Sequence, residues 1–238
     1  DSITQFVLIG IEHIFGGIDH IAFLLALLLL LRSLKVLVWM VTGFTLGHSI
    51  TLALAALGWV IPDLDIVEAA IGFTIALVAV QNIAVLTGNH RQITYFSVAG
   101  LLLIVLINLI WNIGLSALSG LGLALFTLAY LWNSADEHLS ANLRLVTSVI
   151  FGLIHGFGFA SALTETGLAS TQLLPALLGF NLGIELGQIV IIAVVWALLQ
   201  QIRQSRFLTD TRLVIDLVSA ALCGLGLYWF IGRSYGII

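Results

Sequence analysis

The chain has 238 residues, of which 61% are hydrophobic and 8% charged, with a formal net charge of −4. Soluble domains carry about 25% charged residues, so this composition belongs to a membrane protein and excludes a sizeable soluble domain. The few Lys and Arg residues form no basic patch, which excludes a nucleic-acid partner, and the lone Cys223 excludes an internal disulfide and a thiolate metal cage.

Residues 1–238 read as one transmembrane domain, an all-α polytopic helix bundle in the lipid bilayer. The chain starts at Asp1 rather than Met, which suggests that a signal peptide or an N-terminal soluble region is missing from it. A hydrocarbon core needs about 20 helical residues per crossing, and on that measure the apolar runs predict about eight spans. They fall near 2–31, 35–58, 64–87, 93–111, 114–132, 143–164, 172–200 and 210–232.

The first run holds Glu12, His13, Gly16, Gly17, Asp19 and His20 between residues that belong in lipid. Ionisable groups at bilayer depth cost a few kcal/mol each and are usually functional. At about 100° per residue, His13, Gly17 and His20 share one stripe of a regular helix, with Glu12 and Asp19 on another. On that geometry Asp19 orients a histidine; a break at Gly16-Gly17 would instead let it reach the same metal ion.

His48 lies near the middle of the second span, among Thr45, Ser49 and Thr51. The third span carries Glu68 close to its outer end, either as an access-site carboxylate or as a solvated helix start. In the sixth span His155 is flanked by Gly152 and Gly156, a spacing that lets a neighbouring backbone approach closely. The seventh is two-sided: Asn181, Glu185 and Gln188 lie on one face and Gly179, Gly183 and Gly187 on the other. Phe44-x-Leu46-x-His48 and Phe151-x-Leu153-x-His155 share a pattern, which a degenerate parallel four-plus-four repeat would explain.

Loop charges give the orientation. Arg32, Lys35, Arg91, Arg144, Arg203, Arg206 and Arg212 fall in alternate connections, and the others hold only Asp63, Asp65 and Glu165. The positive-inside rule makes the basic connections cytoplasmic and puts both termini outside, with Arg233, beyond the last span, as the exception. The expected location is a bacterial inner (plasma) membrane.

Imidazole with carboxylate or amide oxygen suits a divalent transition metal such as nickel or zinc, while an all-oxygen Mg or Ca site would not need so many histidines. The ligand candidates are His13, Asp19, His20, His48, His155 and Glu185. Glu12, Glu68, Asn181, Gln188 and Ser49 are candidates for supporting the ligands or lining a path to them. A single histidine in a membrane helix often only joins two helices by a hydrogen bond. Several at one depth beside carboxylates argue for metal.

These residues resemble the hydrogenase/urease accessory membrane family of the HupE/UreJ type. The resemblance rests on four ordered motifs: His13-x-x-Gly16-Gly17-x-Asp19-His20, Phe44-Thr45-x-x-His48-Ser49-x-Thr51-Leu52, Phe151-Gly152-Leu153-x-His155-Gly156-x-Gly158-Phe159-Ala160 and Phe180-Asn181-x-Gly183-x-Glu185-x-Gly187-Gln188. It implies a nickel permease tied to hydrogenase or urease maturation, with His13, Asp19 and His20 handling the metal. Simpler nickel permeases carry proline directly after the first histidine; Ile14 stands there, so the resemblance is to a long-chain branch of the family.

Two functions of different class compete. A permease would bind a divalent metal ion weakly at the midplane and release it inward. A membrane-embedded zinc hydrolase would hold zinc with three histidines and use Glu185 or Asp19 as general base. No H-E-x-x-H signature accompanies the second reading. A metal- or haem-binding structural subunit of a larger complex ranks below both.

Overall fold

A computed structural model describes residues 3–30, 33–111, 113–134, 137–159, 170–204 and 211–238. The described residues are helical, without strands, in nine segments: α1 (Ile3–Gly16), α2 (Ile18–Leu30), α3 (Leu34–Ala56), α4 (Leu64–Thr87), α5 (His90–Trp111), α6 (Ala117–Asn133), α7 (Glu137–Gly158), α8 (Ser170–Gln204) and α9 (Thr211–Ser234). In lipid the backbone must satisfy its own hydrogen bonds, and a helix does so within one segment.

Five of these helices, α3, α4, α5, α8 and α9, are long and apolar enough to cross a membrane, and α1 with α2 makes a sixth as a pair bent by 71°. The remaining two of the expected eight fall on shorter apolar helices, α6 and the stretch Leu145–Gly158 of α7, which do not reach span length. Arg32, Glu165 and Arg206, used to orient the chain, lie outside the described residues.

Local chemistry sets the ends. Asp63 caps α4 by accepting from the Ile66 amide, and Gly88 closes that helix with a left-handed φ of 71°. Ser116 caps α6 by accepting from the Ser119 amide. Asn108 donates to the Leu115 carbonyl at 3.0 Å and holds the α5–α6 turn together.

Glycine sets the packing. Between apolar helices in lipid there is little hydrophobic drive, so association depends on close van der Waals fit at small residues. A Cβ at Gly47 would sit 2.1 Å from the Val149 carbonyl oxygen, and one at Gly152 would sit 2.0 Å from that of Phe44. The backbones of α3 and α7 therefore touch. The glycine face of α8 does the same on α1, where a Cβ at Gly183 would meet the Val7 oxygen at 2.1 Å. A third close pair is α4 with α9, crossing at Gly72 and Gly226. The hairpin α5–α6 packs mainly on itself at the edge of the bundle. A row of fully buried aromatics, Phe23, Phe44, Phe151 and Phe180, fills the space between the pairs.

Candidate metal centre

The first span breaks at its glycines. Gly17 is not helical, yet its amide donates to His13 O at 2.9 Å and its carbonyl accepts from Ile21 at 3.1 Å, so the chain turns without losing those backbone bonds. Consecutive glycines weaken a helix by about 1 kcal/mol each relative to alanine, which makes this the place to bend. The turn brings Asp19 back beside its neighbour: Asp19 Oδ1 lies 3.0 Å from His20 Nδ1. A Cβ at Gly17 would lie 2.6 Å from that same nitrogen, whereas Gly16 has open space.

The bend gathers donors from four helices. His13 and His20 have ring centroids 4.8 Å apart, His20 and His155 5.3 Å, and His48 lies 6.2 Å from both His13 and His20. Two groups of donor atoms, His13/His20/His48 and Asp19/His20/His155, each fall within 4.8 Å of one another. Two ligands about 2 Å from one ion can be at most about 4 Å apart, so each group is within an ångström of a closed coordination shell. His20 belongs to both. His20, His48 and His155 are buried and His13 is partly so.

Hydrogen bonds select the donor nitrogens. A carboxylate only accepts, so His20 donates its Nδ1–H to Asp19 and turns Nε2 to the cluster. Thr74 Oγ1 donates to the Ile71 carbonyl at 2.8 Å and lies 3.1 Å from His155 Nε2. The Thr74 hydroxyl thus engages His155 Nε2 and leaves Nδ1 as that ring's other nitrogen. The remaining nitrogens of these two rings, His20 Nε2 and His155 Nδ1, are buried without a hydrogen-bond partner among the described residues. Unsatisfied buried acceptors are costly in a low-dielectric interior, and metal coordination satisfies them.

A cavity of about 410 Å³ reaches the cluster from one side, past Asp19, Glu68, Phe159, Trp229 and Arg233. Glu68 and Arg233 form an ion pair in its wall. Arg233, expected beyond the last span, lies in the last turn of α9, where this carboxylate neutralises it. Stacked Phe159 and Phe180, 4.7 Å apart, close the cluster beside His13.

The other expected site residues are placed differently. Glu185 stands outside both donor groups: its Oε1 accepts from Thr42 at 2.8 Å. Gln188 is buried and accepts from Thr45 at 3.0 Å. Asn181 lies beside His48, with its amide nitrogen turned to its own helix at Leu177. Ser49 likewise bonds to Thr45 O on its own helix. Glu12 is exposed and does not line the cavity. Sequence reasoning missed Thr74 and Thr42, because an isolated threonine in an apolar helix carries no pattern that separates it from one bonded to its own backbone.

The HupE / UreJ protein family model matches the chain over residues 1–128 and 92–233. No curated protein and no solved structure matches it. The family match agrees with the apolar helices and with the histidine and carboxylate groups they gather. The chain is an integral membrane protein and belongs to the HupE/UreJ family, a membrane family of metal handling.

Proposed function

We propose that the protein is a permease that carries a divalent transition metal, nickel first among the candidates, inward across a bacterial inner membrane in support of hydrogenase or urease maturation. The observation that carries the reading is the convergence of His13, His20, His48 and His155 with Asp19, all of which but the buried His48 line one cavity. In this reading both chain termini face outward, as the loop charges favour. The ion enters past Glu68, sheds water at Asp19 and meets imidazole nitrogens already aimed at it.

Two features favour a carrier over an enzyme. The donors lie in two overlapping groups that share His20, which suits passing an ion from one set to the next. Glu185, one of the two carboxylates expected as general base beside Asp19, is bonded to Thr42 and stands outside both groups. The test is uptake of radioactive nickel by proteoliposomes holding the purified protein, with metal analysis of the same preparation. Uptake that disappears in His20→Ala supports the reading. No uptake of any divalent ion, together with one tightly held zinc per chain, would overturn it in favour of a membrane-embedded hydrolase.

A further inference from the structure

The glycine contacts of α1 on α8 repeat those of α7 on α3. A Cβ at Gly10 meets the Phe180 oxygen at 2.1 Å and the Ile184 nitrogen at 3.0 Å; one at Gly152 meets the Phe44 oxygen at 2.0 Å and the His48 nitrogen at 3.0 Å. Gly183 approaches the Val7 oxygen as Gly47 approaches that of Val149. Gly179 faces Ile3 as Gly43 faces Leu145.

The sequence carries the same correspondence. His13-x-Phe15-Gly16 matches His155-x-Phe157-Gly158, and Gly43-Phe44-x-Leu46-Gly47 matches Gly179-Phe180-x-Leu182-Gly183. Helices α1 and α7 end at equivalent glycines, Gly16 and Gly158. The third pair obeys the relation by crossing itself: Gly72 approaches the Gly226 oxygen and the Phe230 nitrogen, while Gly226 approaches the Gly72 oxygen and the Ala76 nitrogen. That last crossing is antiparallel, so the two copies are inverted.

We infer that α1–α4 and α7–α9 are inverted copies of one glycine-packed unit, separated by the α5–α6 hairpin, and that the metal passes by rocking of the glycine-locked pair α1·α8 against the glycine-locked pair α3·α7. The inference rests on the transport reading and gives it moving parts. The repeat differs from the parallel four-plus-four relation that Phe44-x-Leu46-x-His48 and Phe151-x-Leu153-x-His155 suggest, since those two segments sit on partner helices of one locked pair.

The cluster straddles the two bodies. His13 belongs to α1·α8, and His48 and His155 belong to α3·α7. His20 and Asp19 hang between them on the far side of the Gly17 bend. Helices α3 and α7 run in the same direction, and the cavity is lined by Gly158, the last residue of α7, and by Phe159 directly after it. Thr42 and Thr45, which precede His48 on α3, therefore lie on the side away from the cavity. There they bond to Glu185 and Gln188 of α8. These two hydrogen bonds join one body to the other and latch the far side while the cavity side stands open. An inverted repeat supplies the opposite state by exchanging the conformations of its copies.

Pulsed electron–electron double resonance tests this in proteoliposomes, on a Cys223→Ala background. Cysteines for spin labels go on exposed positions: Leu8 with Leu182 inside one pair, Leu46 with Val146 inside the other, and Leu46 with Leu182 between them. Each is measured metal-free and with zinc, a diamagnetic ion. The expected result is a single narrow, metal-independent distance within each pair and a broad or two-component distance between pairs that zinc redistributes. A between-pair distance as narrow and invariant as the others overturns the inference, as does a within-pair distance that spreads or shifts with the between-pair one. Because the metal-free widths decide the matter, the result stands apart from whether the same liposomes take up nickel.

Discussion

The α1–α2 bend and the α3–α8 seam each hold a membrane carboxylate, and they use it in opposite ways. At the bend, Asp19 pairs with His20 in the wall of an open cavity. At the seam, Glu185 accepts from a threonine on a neighbouring helix and faces no histidine donor group. The difference comes from the backbone. A glycine with no room for a side chain folds Asp19 back over the break, whereas α8 runs helically through Glu185 and leaves it where the helix face puts it. A carboxylate in a membrane helix thus takes its setting from its neighbours rather than from its type.

Substitutions can break this contrast. The largest effect is expected for His20→Ala, which removes the donor common to both groups: nickel uptake should fall by more than about 100-fold, since loss of mere supporting residues costs about 10–100-fold. Gly17→Ala should come next, with metal affinity measured by calorimetry falling about 10–100-fold as the methyl displaces the Asp19–His20 pair. Gly16→Ala, one residue away in open space, should change affinity less than about twofold, since a surface substitution alters little. Equal losses in the two glycine variants would mean that the bend itself, rather than the Asp19–His20 contact, is what matters.

Asp19→Asn sharpens the comparison further. Its amide still offers an oxygen to His20 but no charge, and an affinity loss of about 10-fold is expected. Thr42→Val should have the smallest effect. Single hydrogen bonds between membrane helices average about 0.6 kcal/mol, so uptake should change about threefold with metal affinity preserved. If Thr42→Val weakened metal binding as much as Asp19→Asn, the seam would have to be counted part of the binding site.

Much of this arrangement is legible in the amino-acid sequence. The His13, His20, His48 and His155 positions stand out because each is polar within an apolar run, and the glycine face of α8 stands out because its spacing is that of a helix. What regular helical geometry leaves open is the position of Asp19: on an unbroken helix it points about 100° away from His20's stripe, and only the bend resolves it. Glu185 looks equivalent to Asp19 in sequence because each is an acid near glycines within an apolar run. Thr42 and Thr74 are invisible, since their partners are distant in the chain. The mutual approach of Gly47 and Gly152 is likewise a tertiary fact, and it converts two similar motifs into two sides of one contact.

The Thr74 hydroxyl has one consequence for how the centre would be seen spectroscopically. By engaging His155 Nε2 it leaves that ring Nδ1 for an ion, while the Asp19 contact leaves His20 its Nε2. An ion held by both rings would carry two inequivalent imidazoles, with remote protonated nitrogens in different surroundings: one facing a carboxylate and one facing a neutral hydroxyl. With copper(II) as a reporter, electron spin-echo envelope modulation would resolve these as two remote nitrogens of different quadrupole coupling. Thr74→Val would free the His155 ring to turn over and merge its signal toward that of an unconstrained imidazole, leaving the His20 signal untouched.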